Sequence, residues 1–97
     1  ASDLARAYAL IGKKADAARI LNKVWADAKS YADYYLQLTG SRFMMSQNDV
    51  LRQLYIMQNI ADMTQACDKN LADKRLKTVN ALYAVYQAKG GTPYQGE

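Results

Sequence analysis

The sequence predicts an all-α fold, and three features carry that prediction. Proline is absent before Pro93. Alanine, leucine, lysine, glutamine and tyrosine dominate while β-branched residues are scarce, a composition that favours helices over strands. Apolar residues recur three and four positions apart, the spacing of one helix face. We therefore expect a single domain of about five helices over residues 1–91, with residues 92–97 as a flexible tail.

The composition also excludes several classes of function. The 97 residues contain no histidine and one cysteine, so imidazole catalysis, the usual zinc sites and an internal disulfide are ruled out. We expect no catalytic residue, no cofactor and no bound metal in this chain. The net charge of +4 is typical of a soluble surface rather than of nucleic-acid binding. No apolar run approaches the length of a membrane span, so we expect no membrane contact by this chain.

The first two predicted helices form an antiparallel pair. The first covers about residues 2–11, and Gly12 follows it where a left-handed helix cap is expected. The turn after Gly12 is short, so the second helix, over about residues 15–29, should pack back against the first. The apolar face of this second helix consists of Ala17, Ala18, Leu21, Val24, Trp25 and Ala28.

Ser30 introduces an ambiguity. Ser30 followed by Asp33 resembles a capping box, which predicts a break and a third helix over about residues 31–39, ended by Gly40. The competing interpretation is one continuous helix from residue 15 to residue 39. Residues 41–45 are expected to form a loop or a single turn.

Two longer helices complete the predicted fold. The fourth covers about residues 47–67 and begins at Ser46 with Asp49 three positions on. The fifth covers about residues 71–89, with Asn70 as its cap and Gly90-Gly91 as its end. The predicted inner stripe of the fourth helix is Val50, Leu54, Met57, Ile60, Ala61, Met63 and Cys67. The predicted seam of the fifth helix is Leu76, Val79, Leu82 or Tyr83, and Tyr86.

Residues 4–27 resemble a tetratricopeptide repeat, a helical hairpin that stacks into right-handed helical-repeat arrays. The resemblance rests on Leu4, Ala5, Ala7, Tyr8, Gly12, Ala17 and Leu21, in that order and spacing. It implies a hairpin over residues 1–29, with residues 30–91 as a three-helix cap. It also implies that Ser2, Arg6, Ala9 and Leu10 line a partner-binding groove.

A looser resemblance covers most of the chain. The order LARAYALIGKKADAARIL, then YADYYLQL, then two amphipathic helices is similar to the soluble C-terminal tail of a bacterial family of multi-pass, glycosyltransferase-like membrane proteins. This resemblance implies an accessory domain whose parent carries its chemistry in a membrane part. It supplies no catalytic residue for this chain.

Three groups of side chains carry alternative interpretations. Tyr34, Tyr35 and Phe43, with Tyr31 and Trp25 nearby, form either core packing or a partner-binding patch. Cys67 is either a buried small hydrophobe or a reactive thiol. The basic stretch is either a solvated helix face or a nucleic-acid contact, and consists of Lys69, Lys74, Arg75 and Lys77.

From these observations we expect a non-catalytic interaction or scaffolding module, the C-terminal fragment of a larger protein. Its partner is another protein or the remainder of its own chain, and a homodimer is possible. Nucleic acid is not expected. The candidate contact residues are Arg6, Ala9, Leu10, Tyr34, Tyr35 and Phe43. An accessory domain of a membrane-bound glycosyltransferase-like protein is the alternative.

Overall fold

A computed structural model describes residues 14–93, and over that range the chain is all-helical. Four helices occupy it, namely α1 (Lys14–Gln37), α2 (Gly40–Met45), α3 (Gln47–Thr64) and α4 (Lys69–Ala88). The prediction of an all-α fold is confirmed. The helix predicted over residues 2–11, and with it the first half of the tetratricopeptide-like hairpin, lies outside the described residues.

Helix α1 runs through Ser30 without a break, so the predicted third helix is wrong and the continuous helix is right. Its buried stripe crosses the position, since Ala28 and Ala32 are both buried while Ser30 is exposed. Asp33 accepts a hydrogen bond from Lys29 at 2.8 Å instead of reaching back to a cap. Pairs four residues apart stabilise a helix, and the continuous apolar stripe outweighs the local capping signal.

Two of the predicted caps also differ. The Ser46 hydroxyl donates to the backbone oxygen of Arg42 at 2.8 Å and does not cap α3. Asp68 caps α4 in place of Asn70, because its carboxylate accepts a hydrogen bond from the backbone N–H of Leu71 at 3.1 Å. As a result α4 begins at Lys69. Separately, α3 ends at Thr64, three residues earlier than predicted.

Glycine permits the two chain reversals at the ends of the helices. Gly40, the first residue of α2, has φ +58°, and Gly90 has φ +93° after α4, conformations that L-residues with a side chain rarely adopt. The predicted end of the last helix at Gly90-Gly91 is therefore confirmed.

Helices α1 and α4 both pack against α3, which places α3 at the centre of the described fold. One core joins all four helices and consists of Ala28, Ala32, Leu36, Phe43, Val50, Leu54, Met57, Val79 and Tyr86. A smaller cluster around Leu21 and Ile60 closes the end where α1 begins. The predicted stripe of α3 is confirmed at Val50, Leu54, Met57, Ile60 and Ala61. Met63 and Cys67 are only half-buried, and Thr64 is buried in addition.

Candidate protein-binding groove

An open groove of about 820 Å³ runs between α3 and α4. Its lining residues are Asn48, Leu51, Arg52, Leu54, Tyr55 and Gln58 from α3, with Val79, Asn80 and Tyr83 from α4. We call this feature the α3–α4 groove. Its lining comes from these two helices and not from α1, which packs on another side of α3.

Helix α3 forms one wall because it carries a second stripe beside its buried one. Leu51, Tyr55 and Gln58 follow each other at helical spacing, and Asn48 and Arg52 extend the same side. Leu51 is half-buried, whereas Tyr55 leaves 65% of its surface exposed. A large aromatic side chain with this exposure, next to an apolar depression, is typical of a contact surface rather than of a core.

Helix α4 supplies the opposite wall and part of the floor. Val79 is 5% exposed and Leu54 of α3 is 4% exposed, so the floor is apolar and continuous with the core. Tyr83 stands above it, and its ring stacks on the buried Tyr86 ring with centroids 5.9 Å apart. This stacking packs the half-buried Tyr83 ring against the core.

The rim of the groove is polar and carries one charge. Asn48, Gln58 and Asn80 present amides, and Arg52 is the charged lining residue. Among residues 14–93, no carboxylate forms an ion pair with Arg52. An apolar floor with a few polar groups at the edge is the arrangement that receives an amphipathic helix.

The outer face of α1 differs from the groove. The ion pairs of the described residues all lie within α1 and join Asp16 to Arg19, Lys23 to Asp27 and Lys29 to Asp33. Each pair is three or four residues apart, so α1 neutralises its own charges. The α3–α4 side lacks such pairs over the same part of the chain, and its charges are available to a partner.

The aromatic residues singled out from the sequence lie elsewhere, at different depths. Tyr34 is 58% exposed, Tyr35 packs partly against the core, and their rings meet edge to face at 5.4 Å. Phe43 is 2% exposed, and Lys89 Nζ lies 5.2 Å from its ring centroid. None of the three lines the α3–α4 groove. Arg6, Ala9 and Leu10 lie outside the described residues.

Arg75 is the polar residue that the sequence placed least well. It was grouped with a basic stretch on a solvated face, yet it is 6% exposed and lies between three helices. Its Nη1 donates to Thr64 Oγ1 at 2.8 Å, and its Nη2 donates to Asn22 Oδ1 at 2.6 Å. The guanidinium carbon also lies 5.1 Å from the centroid of the Trp25 ring.

Burial lowers the pKa of Arg75 below its ordinary value, and Asp68 and Cys67 offset part of that effect. Because the folded-state pKa is the lower one, holding the charged side chain in place costs free energy throughout the neutral range. The exposed basic residues of this stretch are the lysines Lys69, Lys74 and Lys77. With Arg75 turned inward, the stretch does not form one basic stripe.

The sequence did contain one signal for the groove. Leu51 and Tyr55 lie four residues apart, beside the stripe of Val50 and Leu54. Together the two rows make the apolar face of α3 wider than contact with one neighbouring helix requires. The opposite wall could not be predicted, because it depends on how α4 is rotated against α3.

Neither the described helices nor comparison with known proteins assigns this chain to a family. Over residues 14–93, no helix is both long and apolar enough to cross a membrane, and no three His, Cys, Asp or Glu side chains gather where they could hold a metal ion. The likeness of residues 4–27 to a tetratricopeptide repeat stays a prediction, because none of the comparisons with known proteins supports it. No family model, curated protein or solved structure matches this chain.

Proposed function

We propose that this chain is a non-catalytic protein–protein interaction module whose α3–α4 groove binds a helix. The observation that carries the proposal is the open groove itself, with Leu54 and Val79 buried in its floor and Tyr55 exposed on its wall. A helix with apolar side chains along one face would cover this floor, and its polar side would meet the amide rim.

Among the groove residues, Tyr55 would contribute most to the free energy of binding. Burying a tyrosine removes about 150 Å² or more from water, worth on the order of 2 kcal/mol after its hydroxyl is allowed to stay wet. Exposed tyrosines that become buried are frequent hot spots of interfaces. A gain of that size corresponds to an affinity change of about thirtyfold.

The tetratricopeptide-like hairpin over residues 4–27 belongs to the same proposal. In that family resemblance, Arg6, Ala9 and Leu10 form a second contact surface, to which Arg6 would bring a positive charge. Tyr34 adds an exposed aromatic side chain on α1. These residues are a separate candidate surface from the groove and need a separate test.

The groove is tested with a displayed library of short amphipathic helical peptides, screened against the folded protein. We expect enriched peptides whose affinity falls about thirtyfold in a Tyr55→Ala variant, measured by fluorescence anisotropy. Tyr31→Ala is the matched control, because Tyr31 is an equally exposed tyrosine, 57% accessible, on α1. Circular dichroism establishes that both variants keep their helix content.

Two outcomes would contradict the proposal. One is that no peptide is enriched, and the other is that Tyr55→Ala and Tyr31→Ala reduce binding equally. If Arg6→Glu abolishes binding while Tyr55→Ala leaves it unchanged, the contact surface is the first hairpin and not the α3–α4 groove.

A further inference from the structure

We infer that the helix received by the α3–α4 groove is α3 of a second copy of this chain, running antiparallel to the first. The result is a two-fold symmetric dimer in which α3 and α4 of both copies form a four-helix bundle. This inference rests on the proposed function, and it adds the identity of the occupant.

The charges along the groove side of α3 carry the argument. Arg52 lines the groove, and Asp62 follows Gln58 by four residues, which places it on the same side of α3 one turn beyond the lining. The two are ten residues apart, which is about 15 Å along a helix. Among the described residues neither has an ion-pair partner, and both side chains are exposed.

Helix α4 does not strengthen this polarity, because its exposed residues near Asp62 include Lys69 and Lys77 as well as Asp73. Asp73 is exposed and precedes Arg75, whose contact with Thr64 fixes that end of α4 beside the end of α3 that carries Asp62. Lys77 is one turn away from Asp73 on α4 and forms no ion pair with it. The polarity therefore rests on α3 alone, whose groove side is positive at Arg52 and negative at Asp62.

A surface that is positive at one end and negative at the other complements itself when turned by a half rotation. In an antiparallel pair with its axis at the level of Met57, Arg52 of each copy lies opposite Asp62 of the other. A parallel pair would bring the two Arg52 side chains together, which repulsion disfavours. The charge pattern thus selects both the partner and its direction.

The apolar residues fit the same arrangement. Tyr55 is two residues from the level of the axis, so the two tyrosines flank it and each covers the floor of the other groove. The half-buried Leu51 and Tyr83 become buried with them. Short helices joined in this way form a bundle around a shared apolar core, as in antiparallel four-helix bundles.

The test is charge reversal, followed by sedimentation velocity from micromolar to near-millimolar protein. We expect a dimer for the unaltered chain and a dissociation constant raised about tenfold or more by Arg52→Asp, and likewise by Asp62→Arg, since each brings like charges together twice. Mixing the two single variants should restore the dimer as a heterodimer, because every contact across that interface is then between opposite charges. The double variant R52D/D62R should also dimerise.

Arg42→Asp is the matched control, since Arg42 is an exposed arginine on α2 outside the groove, and it should leave the dimer intact. A monomeric unaltered chain overturns the inference, as does a dimer that Arg52→Asp leaves unchanged. If the chain is a monomer that still binds helical peptides through Tyr55, the second copy is wrong and the interaction module stands. If it is a monomer that binds no peptide, both proposals fail.

Discussion

Arg75 and Tyr86 are buried polar side chains at opposite ends of α4, and their polar atoms are satisfied to different degrees. The Tyr86 hydroxyl donates to the backbone oxygen of Thr92 and lies 3.3 Å from Gln47 Oε1. Gln47 Oε1 also accepts the Thr92 backbone N–H at 2.8 Å. Arg75 keeps two hydrogen bonds, but its Nε has no partner among residues 14–93, and no carboxylate there forms an ion pair with it.

The difference shows what each end contributes. The Tyr86 end gains stability, because an aromatic ring is buried with its hydroxyl paired and Thr92 is tied to α3. The Arg75 end gains orientation, because one guanidinium joins Asn22 of α1, Thr64 of α3 and its own helix. A buried charge without an opposite charge costs free energy that its hydrogen bonds only partly return. The Tyr86 end of α4 therefore stabilises the fold, whereas the Arg75 end fixes how α4 is oriented against α1 and α3.

The largest loss of stability is expected from a substitution that disturbs the packing of Tyr86. A Cβ on Gly91 would overlap the Tyr86 ring, so Gly91→Ala must displace a side chain that is fully buried. We expect a loss of about 2 kcal/mol in the free energy of unfolding, measured by urea denaturation. In a Tyr86→Leu background the same change should cost clearly less, because the overlapping ring atoms are gone. An equal loss in both backgrounds would show that the ring is not the obstacle.

At the Arg75 end we expect a substitution to stabilise the protein instead of destabilising it. Arg75→Met keeps much of the volume beside Trp25 and removes the charge, so we expect a gain of about 1.5 kcal/mol in the same urea measurement. Little is left unsatisfied, because Thr64 Oγ1 still donates to the backbone oxygen of Ile60 at 2.7 Å and Asn22 is exposed to water.

Arg75→Ala is the control for packing, since it removes the charge together with the apolar stem. It should be less stable than Arg75→Met. If Arg75→Met itself destabilises the protein by more than about 1 kcal/mol, the hydrogen bonds to Asn22 and Thr64 outweigh the cost of burying the charge.

The same contrast explains which parts of the fold the sequence could predict. Tyr86 and Val79 were assigned to the α4 seam because apolar spacing reports burial directly. Arg75 was missed because an arginine at a seam position reads as solvent-exposed unless its partners are known, and Asn22 lies 53 residues away. Its burial depends on tertiary contacts that no local pattern records.

The wrong break at Ser30 and the unpredicted groove have related causes. A capping signal at Ser30 is local and worth about 1 kcal/mol, so the packing of Ala28 and Ala32 against α3 overrides it. The groove is a relation between two helices, set by the rotation of α4 that buries Val79 and Tyr86. Tyr55 was not singled out from the sequence, and the residues facing it follow from packing alone.

The smallest expected effect comes from removing the Tyr86 hydroxyl, which separates the contribution of its hydrogen bond from that of the ring. Tyr86→Phe keeps the buried ring and its stacking on Tyr83, but it leaves the Thr92 carbonyl without its donor. We expect a loss of about 1 kcal/mol in the free energy of unfolding. We also expect faster hydrogen exchange of the Thr92 amide, which bonds to Gln47 Oε1, because the Thr92 carbonyl is no longer tied to Tyr86 and the segment opens more readily. Gln47→Leu should accelerate the exchange at Thr92 further, because it removes that acceptor. If Tyr86→Phe leaves both stability and exchange unchanged, the ring alone accounts for this end of α4, and its difference from the Arg75 end reduces to the presence of a buried charge.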